Sequence, residues 1–172
     1  MLSQCERVKT LRINDWLRPR IQAEMVLDNR IEAGKPFQIL LLGPDNFRSI
    51  NDRWGHRFGD AVLEKVGALL TARLNEGDFV FRWAGDQFLM ILNSDSANDN
   101  RAAQIASDLG RMTFYCVGPK AAAEVSLNLS IGVAEYRPGE DIEQFYERVE
   151  AAMYDAKALR STPEADYPAY VV

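Results

Sequence analysis

The chain has 172 residues, 47% of them hydrophobic and 26% charged, which is the composition of one ordinary globular domain with a sizeable core. Its formal net charge of −5, with no dense block of Lys and Arg, excludes the basic surface that nucleic-acid binding needs. No apolar run approaches the ~20 residues that span a bilayer, and no signal peptide is recognisable. Cys5 and Cys116 lack the spacing of metal ligands. We therefore expect a cytoplasmic protein with reduced thiols, no membrane segment and no nucleic-acid partner.

The first half of the chain predicts three helices around one buried strand. In chain order, the predicted elements are a polar lead-in over 1–15, a helix over 16–33, a strand over 37–42, a helix over 46–53, a loop over 54–60 and a helix over 61–74. The helices follow from apolar residues at a spacing of three or four, and the strand from a short, continuous apolar run. Asp45 and Asp60 stand immediately before two of the helices, where a carboxylate commonly serves as the N-cap.

The second half is organised around a β-hairpin. Two aromatic and β-branched runs, 79–83 and 88–92, flank a turn at residues 84–87. The elements that follow are a helix over 102–109, strands over 112–117 and 125–134, a helix over 141–159, and a tail from Ser161 that is loop or disordered. This order predicts an α+β fold, an antiparallel-containing sheet flanked by helices. Since no linker divides the chain, we expect one domain at 16–160 and a C-terminal tail at 161–172.

Four blocks of sequence resemble the GGDEF family of diguanylate cyclases. Residues 47–60 resemble the family segment F-K-x-I-N-D-x-x-G-H-x-x-G-D, and residues 82–88 resemble its R-x-G-G-D-E-F hairpin. Residues 130–134 and 152–157 are similar to its S-I-G-V-A strand and its A-L-Y-x-A-K helix. The resemblance implies a nucleotidyl-cyclase, palm-like sheet. In working members of the family, two GTP molecules held by two facing subunits condense into cyclic di-GMP.

The resemblance also implies a metal site at the end of the first strand and the tip of the hairpin. The reaction is a phosphoryl transfer, which depends on Mg²⁺ held by carboxylates. Asp86 matches a metal ligand that is also a proton acceptor. Gly43 stands where the leading aspartate belongs, so that Pro44 offers only its backbone carbonyl. Asp45 falls on the second aspartate, where it is either a metal ligand or, as we prefer, the N-cap already described.

Two substitutions alter the hairpin tip. Gln87 replaces the family glutamate, and Ala84 replaces the first glycine. Glutamine is nearly isosteric with glutamate but neutral, so one negative charge is missing where cations bind. The methyl group of alanine restricts a backbone that uses the conformational freedom of glycine. We therefore expect Asp86 to be a vestigial catalytic residue and Mg²⁺ to be held weakly.

The residues implied for nucleotide binding are better preserved. Asn51 and Asp60 align with residues that hydrogen-bond guanine, and His56 aligns with the family histidine in the same loop. The alternative is a structural role for each: the C-terminal end of a helix, an N-cap and a loop support. Arg48 replaces a phosphate-binding lysine, and Lys157 matches the lysine of the last helix.

Two arginines of the family pattern are missing. Ser161 takes the place of one on the last helix. Asn75 takes the place of the other, in an R-x-x-D motif that binds the product and of which Asp78 remains. Without that arginine we expect no bidentate grip on the phosphates of cyclic di-GMP.

These departures predict a degenerate GGDEF domain without efficient diguanylate cyclase activity. It would act in cyclic di-GMP signalling as a regulatory module that binds GTP, a protein partner or a second copy of itself. Two alternatives stay open: an active cyclase that uses Asp86 and the Pro44 carbonyl, and a protein-interaction scaffold that binds no nucleotide. The substitutions in the metal site argue against the first alternative, and the retained base contacts argue against the second.

Overall fold

The computed structural model describes residues 19–94, 100–160 and 170–171 of the chain. In chain order, its elements are α1 (Pro19–Glu32), β1 (Phe37–Pro44), α2 (Phe47–Trp54), α3 (His56–Thr71), β2 (Phe79–Ala84), β3 (Gln87–Asn93), α4 (Arg101–Leu109), β4 (Arg111–Val117), β5 (Ala122–Glu135), α5 (Ile142–Arg160) and β6 (Tyr170–Val171). From α1 to α5 this succession confirms the predicted order, with the hairpin at its centre. The predicted lead-in over 1–15 lies outside the described residues.

One sheet forms the centre of the fold, with the strand order β2-β3-β1-β5-β4 and antiparallel pairing throughout this series. β1 lies in the middle, where Ile39 pairs with Ile91 of β3 on one side and with Ala134 of β5 on the other. The long β5 pairs with β4 along its first half and with β1 along its second. Helices pack on both faces of the sheet. The predicted α+β fold class is therefore confirmed.

Both faces of the sheet are buried, which explains why β1 is apolar at almost every position instead of at alternate ones. Leu40 and Leu42 belong to the core on the face covered by α3 and α4. Phe37, Ile39 and Leu41 belong to the core on the opposite face, covered by α1 and α5. Burying a side chain of this size stabilises the fold by ~1.5–3 kcal/mol. β1 is therefore held firmly from both sides, and the residues at its end are presented by a rigid element.

The predicted loop over 54–60 is wrong, because α3 already begins at His56. A single residue, Gly55, separates α2 from α3, and its φ of 84° lies in the region that favours glycine. The Gly55 carbonyl accepts a hydrogen bond from the Gly59 N–H at 3.2 Å, which forms the first turn of α3. Asp60 consequently lies inside α3, so the prediction that it is an N-cap is also wrong.

The N-cap predicted for α2 is wrong as well. Asn46 takes that position with a φ of 53°, and no side chain caps the first turn. The Asp45 carboxylate faces the sheet instead, where its Oδ1 accepts a hydrogen bond from Ser130 Oγ at 2.5 Å. Ser130 is 1% exposed and lies opposite Gly43 in the pairing of β1 with β5. Asp45 therefore ties the start of α2 to the second half of β5.

The C-terminal residues add a sixth strand at the edge of the sheet. β6 pairs in parallel with the second half of β5, beyond the part that β4 covers, with Tyr170 opposite Gly132. The prediction of loop or disorder from Ser161 onward is therefore wrong at 170–171, because pairing with β5 orders residues that no local pattern identifies as a strand. In the parts of the chain that the structure describes, no helix is long and apolar enough to cross a bilayer.

Candidate functional site

The end of β1 and the tip of the β2–β3 hairpin meet at one end of the sheet. Leu42 pairs with Phe88, so that Gly43 and Gln87 are neighbours at the next position along the two strands. A Cβ atom built on Gly43 would lie 3.5 Å from Gln87 Cγ and 3.9 Å from the Asp86 carbonyl oxygen. These are ordinary van der Waals distances, so position 43 has room for a first side-chain carbon facing the hairpin tip. The structure thus brings together the two positions at which the sequence lacks an expected carboxylate.

The hairpin tip is a tight turn held by one of its own arginines. Gly85 has a φ of 52°, and the strand register shifts between Arg82 and Ala84. Arg82 Nε donates a hydrogen bond to the Gly85 carbonyl at 2.7 Å. Among the residues that the structure describes, Asn46 is the one non-glycine residue with a positive φ. Ala84 therefore does not adopt the left-handed backbone that favours glycine, and its predicted restriction of the backbone relative to glycine stays a prediction.

The hairpin tip has fewer carboxylates than the metal site that the resemblance implies. Asp86 is half-buried at the tip, but Gly43 has no side chain and Gln87 is neutral. One oxygen of Asp45 accepts its hydrogen bond from a buried serine of β5. Across residues 19–94, 100–160 and 170–171, no group of three or more His, Cys, Asp or Glu side chains is placed to hold a metal ion. Mg²⁺ requires near-octahedral oxygen ligation, which Asp86 and the Pro44 carbonyl do not supply in the way a pair of carboxylates does.

Asn51 of α2 and Gly59 of α3, the residue before Asp60, lie against each other at the corner between the two helices. A Cβ atom on Gly59 would collide with Asn51 Oδ1 and would lie 3.1 Å from Phe47 Cζ. The Asn51 carboxamide therefore lies against the bare backbone of Gly59, one residue before Asp60. Asn51 is half-buried and Asp60 is exposed. An amide and a carboxylate so placed can hydrogen-bond both the acceptors and the donors of a purine edge.

Gly59 is a positioning residue that the sequence analysis did not single out. Its place directly before Asp60, in the spacing G-H-x-x-G-D, was the available signal. This spacing identifies the glycine, but it does not reveal that the glycine makes room for the side chain of Asn51. The contact with Asn51 depends on the angle between α2 and α3, which only the folded corner reveals.

His56 lies at the same corner, exposed as the first residue of α3. The neighbouring Trp54 ring packs on Phe58, with 5.4 Å between the ring centroids, and the Arg53 guanidinium lies 4.9 Å from the centroid of the Trp54 ring. An exposed cation–π contact of this kind contributes ~0.5–1 kcal/mol. Because Phe58 is 2% exposed, this packing ties the corner to the core and leaves the imidazole at the surface.

The arginine predicted to contact phosphate is held loosely. The side chain of Arg48 is 91% exposed, and its Nε lies 3.7 Å from Asp52 Oδ2. An exposed pair one helical turn apart contributes less than ~1 kcal/mol and is screened by salt. Arg48 therefore has little to fix its guanidinium in one place. Ser161, where the family has a further arginine, lies outside the described residues.

Lys157 lies on the part of α5 that reaches the site end of the sheet. A Cβ atom on Gly132 would collide with the backbone of α5 at Met153, so the helix crosses the sheet in close contact there. Gly132 pairs with Leu41, two residues before Gly43. From Met153 to Lys157 the helix advances ~6 Å, and two strand residues span ~6.6 Å. Lys157 is therefore at the level of Gly43 along the sheet, with its side chain exposed.

Asp78, the remaining residue of the R-x-x-D pattern, is a buried structural carboxylate. Its side chain is 0% exposed, and Oδ2 accepts hydrogen bonds from the Asn75 N–H at 2.6 Å and from Arg101 Nη2 at 2.5 Å. Its Oδ1 accepts from the Asn93 N–H at 2.9 Å. These bonds join the start of β2, the end of β3 and the start of α4. The carboxylate is thus enclosed at the far end of the hairpin from the tip.

Comparisons with known proteins agree with the fold and with the arrangement of the motifs. The family model for the diguanylate cyclase GGDEF domain matches residues 17–162. The diguanylate cyclase DosC from Escherichia coli strain K12 is 32% identical over 127 residues, which is 73% of this chain and 27% of DosC. The chain thus spans about a quarter of the length of this relative.

Solved structures of similar proteins cover most of the chain. The diguanylate cyclase SiaD from Pseudomonas aeruginosa, in complex with its activator SiaC, gives a TM-score of 0.72 at 26% identity, over 97% of this chain and 63% of that one. The GGDEF domain of YfiN, also called TpbB, from Pseudomonas aeruginosa gives a TM-score of 0.66 at 27% identity, over 87% of this chain and 83% of that one. These similarities extend over both the sheet and the helices on its two faces.

Proposed function

The chain belongs to the GGDEF family of diguanylate cyclase domains in cyclic di-GMP signalling, and we propose that it is a degenerate member that binds a guanine nucleotide and regulates a partner without efficient synthesis of cyclic di-GMP. One observation carries this proposal. The position with no side chain, Gly43, lies against the neutral Gln87, so both missing charges belong to one small region beside Asp86.

The loss of both charges bears directly on the chemistry. Two GTP molecules bring heavy negative charge together, and metal ions must offset it while the new bond forms. With two ligand positions neutral, a cation would be held by Asp86, the Pro44 carbonyl and water. Each ~1.4 kcal/mol of lost transition-state stabilisation lowers the rate tenfold, so a defect at two ligands corresponds to a loss of ~10³-fold or more.

The corner between α2 and α3 supports nucleotide binding. The Asn51 carboxamide, set against Gly59, and the adjacent Asp60 supply the hydrogen-bonding groups that a guanine edge requires. The phosphate contacts are weaker, because Arg48 and Lys157 are both exposed. We expect a dissociation constant for GTP of ~10–100 μM, equivalent to roughly 5–7 kcal/mol.

A regulatory role requires a partner, for which the related SiaD offers a parallel, since its structure contains an activator protein. We propose that this domain likewise acts through a protein partner or a second copy of itself. The nucleotide would then bias that association, because a ligand that binds the two states unequally shifts their populations.

The test of the proposed function is incubation of the purified protein overnight with GTP and either Mg²⁺ or Mn²⁺, followed by chromatography of the nucleotides. We expect no cyclic di-GMP above the amount formed by an Asp86→Ala control. Accumulation of product by the unmodified protein above that control would show an active cyclase and overturn the proposal. A parallel titration with GTP tests the binding half of the proposal, and the absence of binding would leave only a scaffold.

A further inference from the structure

We propose that the site binds its ligand through the guanine base and without a metal ion, so that a guanine nucleoside or nucleoside monophosphate fits it at least as well as magnesium-bound GTP. This inference rests on the proposed function, since it specifies the ligand of the same site. It follows from the different condition of the two halves of the site: the base corner is intact, and the metal-binding end is not.

The base corner is held by packing that needs no ligand. Asn51 lies between its own helix and the backbone of Gly59, in space that a side chain at 59 would fill. The rings of Trp54 and Phe58 pack against each other at a tilt at the same corner and tie it to the core. The Asn51 amide is therefore pre-organised, which lowers the entropy lost when a base binds, and Asp60 follows Gly59 directly on the same helix. A guanine base recognised here would find its partners in place.

The metal-binding end has the opposite character. The Cβ position of Gly43 is bare and faces Gln87 Cγ at 3.5 Å, and the described residues place no cluster of three ligating side chains anywhere. A carboxamide has no charge with which to hold a cation, but its NH₂ group is a hydrogen-bond donor to a phosphate oxygen. Gln87 is half-buried at the tip and suits one neutral contact to a single phosphate.

Each additional phosphate on the ligand then disfavours binding, because it adds negative charge. Without a cation, the charge of a triphosphate faces the Asp86 carboxylate and a chain with a net charge of −5. The two cations predicted to offset it, Arg48 and Lys157, are exposed, so solvent and salt screen their attraction. Additional phosphates therefore bring repulsion that the site does not compensate. The base supplies the affinity, and the phosphates supply little of it.

The first experiment is calorimetric titration of the intact chain with guanosine, GMP and GTP, each in excess Mg²⁺ and again in EDTA, with adenosine as the specificity control. We expect each guanine ligand to bind with a dissociation constant that changes by less than about twofold between Mg²⁺ and EDTA. GMP should bind no more weakly than GTP, and adenosine should not bind. GTP binding that requires Mg²⁺ would overturn the inference while leaving the proposed nucleotide-binding function intact.

The substitution Asp86→Asn changes GTP affinity in opposite directions depending on whether Asp86 repels phosphate or holds a metal ion. If Asp86 repels phosphate, Asp86→Asn tightens GTP binding by about threefold or more in EDTA and leaves guanosine binding unchanged. If Asp86 holds a metal for GTP, the same substitution weakens GTP binding in Mg²⁺, and the inference is wrong. Glu143→Gln is the matched control, because Glu143 is exposed in the first turn of α5, where the neighbouring Phe145 packs on Phe37 at the opposite end of β1.

Failure of the two proposals is distinguishable. If guanosine, GMP and GTP all fail to bind, the proposed nucleotide-binding function falls and this inference falls with it. If guanine ligands bind, but their affinity requires Mg²⁺ and increases with the number of phosphates, only the inference is rejected. A thermal melt of each variant, run beside the titrations, shows whether a lost signal reflects an unfolded protein.

Discussion

At the scale of single residues, a glycine decides where the Asn51 carboxamide, the proposed contact to guanine, lies. An alanine at position 59 would place its methyl group on the Asn51 carboxamide, so the side chain of Asn51 must move or α2 must shift. Alanine is also a better helix former than glycine by ~1 kcal/mol, and α3 surrounds this position. The two effects oppose one another, and the clash affects binding more directly than folding.

We expect Gly59→Ala to weaken guanine-ligand binding by at least about tenfold while changing the stability by less than ~2 kcal/mol, because overpacking and helix propensity partly cancel. Calorimetric titration and urea unfolding measure the two quantities. In an Asn51→Ala background the same substitution has no carboxamide to displace, and its effect on binding should disappear. An equal effect in both backgrounds would show that Asn51 does not mediate it.

Substitution at position 43 tests whether the site lacks metal binding because carboxylate charges are missing there and at position 87. A Cβ there makes only ordinary contacts with the hairpin tip, so the first side-chain carbon of Gly43→Asp has room beside β3. Combined with Gln87→Glu, it restores both missing charges beside Asp86. We expect the double variant to acquire Mg²⁺-dependent GTP binding, with at most a trace of cyclic di-GMP, since Pro44, Ala84 and Ser161 remain.

Titration with GTP in Mg²⁺ and in EDTA, followed by chromatography after overnight incubation, measures both outcomes. The single substitutions serve as controls, because each restores one charge. Binding by the double variant that remains indifferent to Mg²⁺ would mean that the two charges are not what the site lacks.

At the scale of elements, buried ion pairs join segments that are distant in the sequence. Asp78, immediately before β2, accepts hydrogen bonds from the backbone N–H groups of Asn75 and Asn93 and from Arg101 of α4, and its side chain is fully buried. Removing one partner of such a pair leaves a buried charge uncompensated, which is far more costly than the pair is stabilising. Arg101 thus supplies the positive charge that pairs with the buried Asp78 carboxylate at this junction.

We expect Arg101→Ala to lower the free energy of unfolding by ~3 kcal/mol or more. Arg73→Ala is the matched control, because the Arg73 pair with Asp108 is exposed on both sides, at 46% and 59%, and should contribute less than ~1 kcal/mol. Urea unfolding of both variants measures the difference. Equal losses in the two variants would show that burial of Asp78 does not set the strength of its ion pair.

The connection from β5 to α5 is stabilised by a second pair. Both oxygens of Glu140 accept hydrogen bonds from Arg148, at 3.1 and 2.8 Å, and Arg148 also donates to the Glu135 carbonyl at 2.8 Å. Burial by itself raises the pKa of Glu140, but the hydrogen bonds from Arg148 and from the Arg137 backbone N–H, together with the arginine charges, outweigh it. The net effect lowers the pKa of Glu140 below its ordinary value.

A carboxyl pKa that is lower in the folded state contributes stability above its unfolded value, and this stability is lost as the pH falls through the folded value. We expect the free energy of unfolding of the wild type to exceed that of Glu140→Gln by ~1–3 kcal/mol near neutral pH. This difference in stability should shrink below pH ~4. Urea midpoints measured across this range provide the check, with the exposed Glu150→Gln as control. A difference in stability that persists at the lowest pH would show that the substitution acts through packing and not through the charge of Glu140.

At the scale of the whole molecule, the sequence predicts the fold well because its patterns are local and repeated. The continuous apolar run of β1, the aromatic hairpin and the helical periodicity of α3 and α5 each identify an element without knowledge of the others. The four blocks of resemblance add the architecture. Both kinds of signal survive substitution of individual residues, which is why the changes at Gly43 and Gln87 do not obscure them.

The remaining errors concern contacts between segments that are distant in the chain or turns set by one residue. The neighbours of Asp45 in the sequence predict a helix cap, but its hydrogen-bond partner Ser130 is 85 residues away. The stretch 54–60 has the glycines and polar residues of a loop, yet Gly55 alone makes the turn. Asp60 therefore lies within a helix and not before one.

The bare position beside the hairpin tip also bears on the stability of the domain. Carboxylates at positions 43, 86 and 87 would repel one another whenever no cation is present, and active sites commonly retain such unfavourable arrangements for the sake of turnover. In this chain a hydrogen atom and a neutral amide stand at two of these three positions, so the repulsion is absent. The ligand-free arrangement of these three positions is therefore electrostatically relaxed, and it needs no cation to offset repulsion between carboxylates.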